Sequence, residues 1–165
     1  MRKTIAVAAG VIVLALANWA VYQREHQLAE GRVVLLELAP VDPRSLMQGD
    51  YMALRFKAAD DAFGRWGKLK DVTDGRIIVR IDERSVGSYV RRDGGEPLAQ
   101  GELALRYRIR DERLKFATNA YFFQEGHAKF YESARFGEFR VAPSGELLLA
   151  HLRSEKLVRL GPPGN

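Results

Sequence analysis

Residues 50–57 read DYMALRFK and residues 102–109 read ELALRYRI. In the first stretch Met52, Leu54 and Phe56 alternate with Tyr51, Ala53 and Arg55. In the second, Leu103, Leu105, Tyr107 and Ile109 alternate with Glu102, Ala104, Arg106 and Arg108. A period of two places each apolar set on one face of a β-strand and its polar set on the other, so both stretches predict half-buried strands. Working outward, residues 33–38 are an apolar run of strand length closed by Ala39 and Pro40. Residues 76–82 follow the turn signal Asp74-Gly75 and set Ile77, Val79 and Ile81 on one face. Strands over 85–90 and 98–109 flank RRDGGEP at 91–97, whose composition predicts a hairpin loop. A short turn at 110–113 leads into 114–118. Strands at 138–142 and 147–152 are joined by Pro143-Ser144-Gly145, and residues 156–160 suggest one more.

Outside the first thirty residues, only 124–134 reads as helix. Residues 58–71, with Asp60, Asp61, Phe63, Gly64 and Trp66, suit a short helix, a lid or an irregular crossover, with Trp66 packing the segment onto the strands. Short strands about ten residues apart, without long helices between them, predict a mainly β fold: an antiparallel β-barrel or β-sandwich-like domain with one short helix.

Residues 5–22, IAVAAGVIVLALANWAVY, carry no charge. The run starts at Ile5 after Arg2 and Lys3 and places Trp19 and Tyr22 at its far end, where aromatic belts lie. At about 1.5 Å per residue it matches a hydrocarbon core, which predicts a transmembrane helix. A signal peptide cleaved after Ala17 is the competing reading, since Ala15-Leu16-Ala17 has the small-x-small pattern. The apolar run continues past it, however, and QREHQLAE at 23–30 extends the helix to Gly31, a common stop. Arg2 and Lys3 held inside would send the rest across the membrane. The predicted organisation is a membrane anchor and helical stalk at 1–31, an exported β-rich domain at 32–160 and a disordered tail at 161–165, single-pass in the inner membrane with the domain in the periplasm or outside.

The 165 residues contain no cysteine, which excludes disulfides, thiolate catalysis and Cys-ligated metals. The net charge of +5 is not gathered into a basic stripe with exposed aromatics, so nucleic acid is not an expected partner. His26, His127 and His151 lack metal-ligand spacing, and Glu125, His127 and Glu132 read as a solvated face; no metal and no cofactor are expected. Phe116, Phe130, Tyr131, Phe136 and Phe139, with Tyr121-Phe122-Phe123, make the C-terminal half dense in aromatics. They are expected to form a core layer, and any exposed part of it a binding patch.

Gly49-Asp50-Tyr51-Met52-Ala53-Leu54-Arg55-Phe56 resembles the signature of the GDYxxLxY family of membrane-anchored proteins, with Phe in place of the last Tyr. The resemblance covers roughly residues 30–152. Upstream it includes Pro40-Val41-Asp42-Pro43-Arg44, and downstream Tyr121-Phe122-Phe123-Gln124-Glu125-Gly126, with Gln124 where Pro is usual, then Tyr131-Glu132. It implies an anchored domain whose genes often neighbour polytopic membrane proteins, and it carries no established activity. The candidate binding residues are Asp42, Arg44, Asp50, Tyr51, Arg55, Glu125 and Glu132. Asp50 suits a structural role, pinning the preceding loop through backbone N–H groups, and Arg55 needs a carboxylate such as Asp42, Glu125 or Glu132. No catalytic set assembles. The expected function is a binding or assembly subunit of an envelope membrane complex, touching lipid through its helix and a polytopic protein as partner. The alternative is an envelope hydrolase, either Ser/Lys peptidase-like through Ser45 with Lys68 or Lys70, or acid-dependent through Asp50 and Glu125.

Overall fold

The computed structural model describes residues 2–39, 47, 48, 51–64, 69, 72–110 and 112–163. Helix α1 (Arg2–Glu30) ends where the Gly31 N–H donates to the Gln27 carbonyl at 2.9 Å. Among the described residues ten strands follow: β1 (Arg32–Glu37), β2 (Met47–Gln48), β3 (Tyr51–Ala53), β4 (Gly75–Ile81), β5 (Gly87–Arg92), β6 (Glu102–Arg110), β7 (Arg113–Lys115), β8 (Ala120–Phe122), β9 (Ala134–Val141) and β10 (Leu147–Ser154). They form three antiparallel sheets, ordered β1-β9-β10, β2-β3-β8 and β5-β4-β6-β7. The fold is mainly β, as the alternation predicts. Isolated bridges link the sheets at Leu38 to Phe56 and Leu35 to Val86, and among the described residues they do not close into a barrel.

The core lies where the three sheets face one another. Met52, Leu54 and Phe56 are buried while Tyr51, Ala53 and Arg55 between them are half-exposed, the predicted pattern. Leu105 and Tyr107 of β6 join them, with Leu103 and Ile109 partly buried against the same cluster. In β4, Ile78 is as buried as Ile77 and Val79, because this central strand is covered on both faces.

Three expectations are corrected. Residues 91–97 do not join a hairpin: β5 and β6 lie on opposite sides of β4, and the chain crosses over β4 between them. The hairpin is β4–β5, turned by Asp82, whose Oδ1 accepts the N–H groups of Arg84 and Val86 at 2.9 and 2.8 Å. The crossing loop is tied down by Arg91, which pairs with Glu96 at 2.8 Å and Glu102 at 2.9 Å. Residues 124–134 are not an α-helix. Gly126 turns the chain with φ 79°, and only the 3-10 turn Ala128–Phe130 follows. The short helix is α2 (Lys57–Phe63), built on good helix formers at Ala58, Ala59 and Ala62 and stopped at Gly64. Residues 156–160 add one isolated bridge, Arg153 to Arg159, in place of a strand. Trp66 lies outside the described residues.

Helix α1 presents Val11, Ile12, Val13 and Leu14 at 60–64% exposure. Successive helix positions step by about 100°, so four neighbours this exposed mean that no face of this part of the helix is covered by protein. Among the described residues no helix is long and apolar enough to cross a membrane. The side chains of Arg2, Lys3, Ile5, Ala6 and Ala8, where the apolar run begins, are not among those described.

Candidate functional sites on the motif strand and beside the stalk

The described part of the signature, residues 51–56, divides between two faces of β3 and its continuation. Its inward half is structural: Phe56 packs edge-on against Phe139 at 5.2 Å and Phe116 at 6.1 Å. On the outward half, Tyr51 pairs across the ladder with Phe122 of β8, their rings 5.7 Å apart. Phe122 is 73% exposed. Of the aromatic-rich segment, then, Phe116, Phe139 and Tyr131 enter the core as expected, and Phe122 stays exposed beside the half-buried Tyr51.

Arg55 pairs with Asp60 in the first turn of α2, at 2.8 Å, with Nε donating to the same oxygen at 2.9 Å. Asp60 is a carboxylate not among those anticipated for Arg55; of those, Asp42 lies outside the described residues. Asp60 reaches Arg55 because α2 starts directly after the strand, its acidic group also complementing the helix N-terminal dipole. Glu125 and Glu132 are exposed on either side of the 3-10 turn. Asp42, Arg44 and Asp50 lie outside the described residues, as do Gly49, Ser45, Lys68 and Lys70, so the hydrolase alternative gains no geometry. Among the described residues no three His, Asp or Glu side chains gather to hold a metal ion.

A second region has no counterpart in the linear sequence. The last turns of α1 lie along the β9–β10 turn, where the Gln27 side-chain amide donates to the carbonyls of Arg140 at 3.0 Å and Glu146 at 2.9 Å. The Arg140 guanidinium returns a bond to the Gly31 carbonyl at 3.4 Å. Each such bond contributes about 0.5–1.5 kcal/mol. Together they fix the direction in which the helix leaves the domain. Between helix and turn is a cavity of about 670 Å³, reaching from Ala20 and Arg24 to Pro143 and Ser144. Next to it is a groove of about 350 Å³ lined by Arg24, Arg106, Arg108, Lys115 and Glu146, with Leu147–Leu149 on its wall. These residues are scattered over more than a hundred positions, and no local pattern announces them.

Titratable groups near the core are shifted by burial. Tyr121 is pushed up to about 12, by burial first and then by neighbouring Tyr131. His151 on β10 is held below the ordinary imidazole value of 6.5, by burial first and then by Arg159; Glu138 opposes this, while Arg153 and Arg140 add to it. A lowered imidazole pKa means that the unfolded chain takes up the proton first as pH falls. The stability tied to neutral His151 is therefore intact above 6.5 and is lost as pH drops from there through the folded-state value. The Tm is expected to fall between pH 7.5 and pH 5.5, by less in His151→Gln. Equal falls in the two proteins would show that His151 is not a source of the acid sensitivity.

A β-rich domain of three antiparallel sheets, fastened to a long helix and carrying an exposed aromatic, Phe122, on the strand beside its motif, is the class of protein these features define. The chain belongs to the GDYXXLXY protein family, whose profile matches residues 13–152, from within α1 to β10. No curated protein and no solved structure matches it.

Proposed function

We propose that this protein is a single-pass subunit of an envelope membrane complex, anchored in the inner membrane by α1 with its β domain in the periplasm or outside. Its role is to bind or assemble a polytopic membrane protein. The observation that carries this reading is α1: a helix apolar through residues 5–22, exposed around its circumference where described, and held by Gln27 to the sheet. So much exposed apolar surface on one element calls for a covering, and lipid or a neighbouring membrane helix supplies one without any rearrangement of the domain. The exposed Phe122, backed by Tyr51, is the kind of aromatic anchor that dominates protein interfaces, and it supports a contact made by the domain as well.

The test is affinity capture of the full-length chain from gently solubilised membranes, beside a truncation starting at Gly31 and the variant Phe122→Asp. A discrete polytopic protein retained by the full-length chain and lost in either variant is the expected result. The variant that loses it tells whether the span or the motif face makes the contact. Recovery of the full-length chain in the soluble fraction, with no membrane protein attached, would overturn the proposal.

A further inference from the structure

The groove of about 350 Å³ beside the stalk holds four cationic side chains, Arg24, Arg106, Arg108 and Lys115, and one carboxylate, Glu146. Glu146 is engaged by Arg108 at 3.1 Å and approached by Arg24 at 3.7 Å. Among the described residues neither Arg106 nor Lys115 is ion-paired. The elements here are α1, β6, β7 and the start of β10, and they converge unpaired positive charge on one concave surface. We propose that this groove binds the phosphate headgroup of an anionic phospholipid, seating the β domain on the membrane surface.

The position of the groove argues for lipid over other anions, and this step rests on the anchoring proposed above. Arg24 follows Tyr22, the end of the apolar run, by two residues, or about 3 Å of axial rise. The headgroup layer is roughly 5–7 Å deep on each side of the hydrocarbon. Arg24 therefore stands at the level of the lipid phosphates. The β9–β10 turn faces the same way, because Pro143 and Ser144 line one cavity with Ala20, a residue within the apolar run. The turn is fixed there: the Gly145 carbonyl accepts the Arg106 N–H at 2.8 Å, and a Cβ on Gly145 would stand 2.8 Å from the Ala104 carbonyl oxygen. Arg106 thus joins the membrane-side edge of the domain to the groove. Guanidinium forks bind phosphate oxygens in pairs, Lys115 adds a point charge, and Leu148 and Leu149 give the glycerol end an apolar wall.

The experiment uses the full-length chain in maltoside micelles, titrated separately with dihexanoyl phosphatidylglycerol, dihexanoyl phosphatidylcholine and inorganic phosphate. The readout is the Nε–H NMR resonances of Arg24 and Arg106. Phosphatidylglycerol is expected to shift both saturably and more tightly than the other two probes. Neutralising two groove cations in Arg106→Gln/Lys115→Gln should weaken that binding roughly 25-fold, about fivefold for each cation near an anionic surface. Arg80→Gln, which removes a β4 cation paired with Glu102 at 3.7 Å, should leave it unchanged. No saturable shift, or phosphatidylcholine binding equal to phosphatidylglycerol, overturns the proposal. Inorganic phosphate binding as tightly as phosphatidylglycerol overturns it in favour of a free anion. Alkaline washing of membranes keeps the two inferences apart: a chain that washes off refutes the anchor, and one that stays but shows no headgroup shift refutes the groove alone.

Discussion

Replacing Arg153 with alanine is expected to destabilise the domain by about 3 kcal/mol and to lower its Tm by roughly 10 °C. The cause is the carboxylate left behind. Glu138 lies in the middle strand of the β1-β9-β10 sheet with its side chain 3% exposed, and Arg153 Nε meets its Oε2 at 2.6 Å. Removing one partner of such a pair leaves a charge that water cannot reach, which typically costs about 3–5 kcal/mol. The lower end applies because Arg140 stays 3.9 Å from the other carboxylate oxygen. Glu138→Gln should cost less, since the Arg153 side chain is 29% exposed and can be hydrated where it stands. Glu138→Leu combined with Arg153→Met should recover most of the loss, so the two substitutions will not be additive. Urea unfolding of the four proteins is the check. If Arg153→Ala cost no more than Glu138→Gln, the carboxylate would have to be reaching water by local opening of the sheet.

What could be read from the sequence was what is local. Alternation at Met52, Leu54 and Phe56, and at Leu105 and Tyr107, identified buried faces correctly because side-chain direction in a strand depends only on its neighbours. Strand pairing is not local. Residues 82–86 and 93–101 both carry turn residues, and composition alone could not say which of them closes a hairpin and which crosses over β4. The helix expected at 124–134 failed for a related reason: Tyr121 and Tyr131 pack ring to ring at 5.2 Å across the segment, and Gly126 turns the chain so that they can. The Arg55–Asp60 pair was missed although it spans only five positions, because it depends on α2 starting immediately after Phe56. The basic groove lay out of reach altogether. Arg24, Arg106, Lys115 and Glu146 are ordinary surface residues until the Gln27 bonds bring α1 down beside the β9–β10 turn.

Phe56→Ala should have the largest effect of any truncation in the signature, about 3–5 kcal/mol, the usual cost of emptying a fully packed phenylalanine site. Phe56 is 2% exposed and stands where separate parts of the fold meet. It bridges to Leu38 beyond β1, its carbonyl accepts the Ala59 N–H at 3.0 Å to start α2, and its ring lies between Phe116 and Phe139. Gly137 of β9 is part of the same contact: a Cβ there would come within 2.9 Å of the Phe56 ring and 3.2 Å of Phe139. Gly137→Ala is therefore expected to cost about 1–3 kcal/mol by overpacking. Combined with Phe56→Leu, which frees space on that side, it should cost less than the two separate losses predict. Phe122→Ala, at an exposed site beside the same strand, should change stability by no more than about 0.5 kcal/mol. Thermal or urea unfolding separates these cases. If Phe122→Ala destabilised the domain as much as Phe56→Ala, Phe122 would belong to the packing, and the contact proposed for it would lose its support. With the expected order, the signature combines two roles on one strand: an inward row that joins the sheets, and an outward row beside which Phe122 stays exposed.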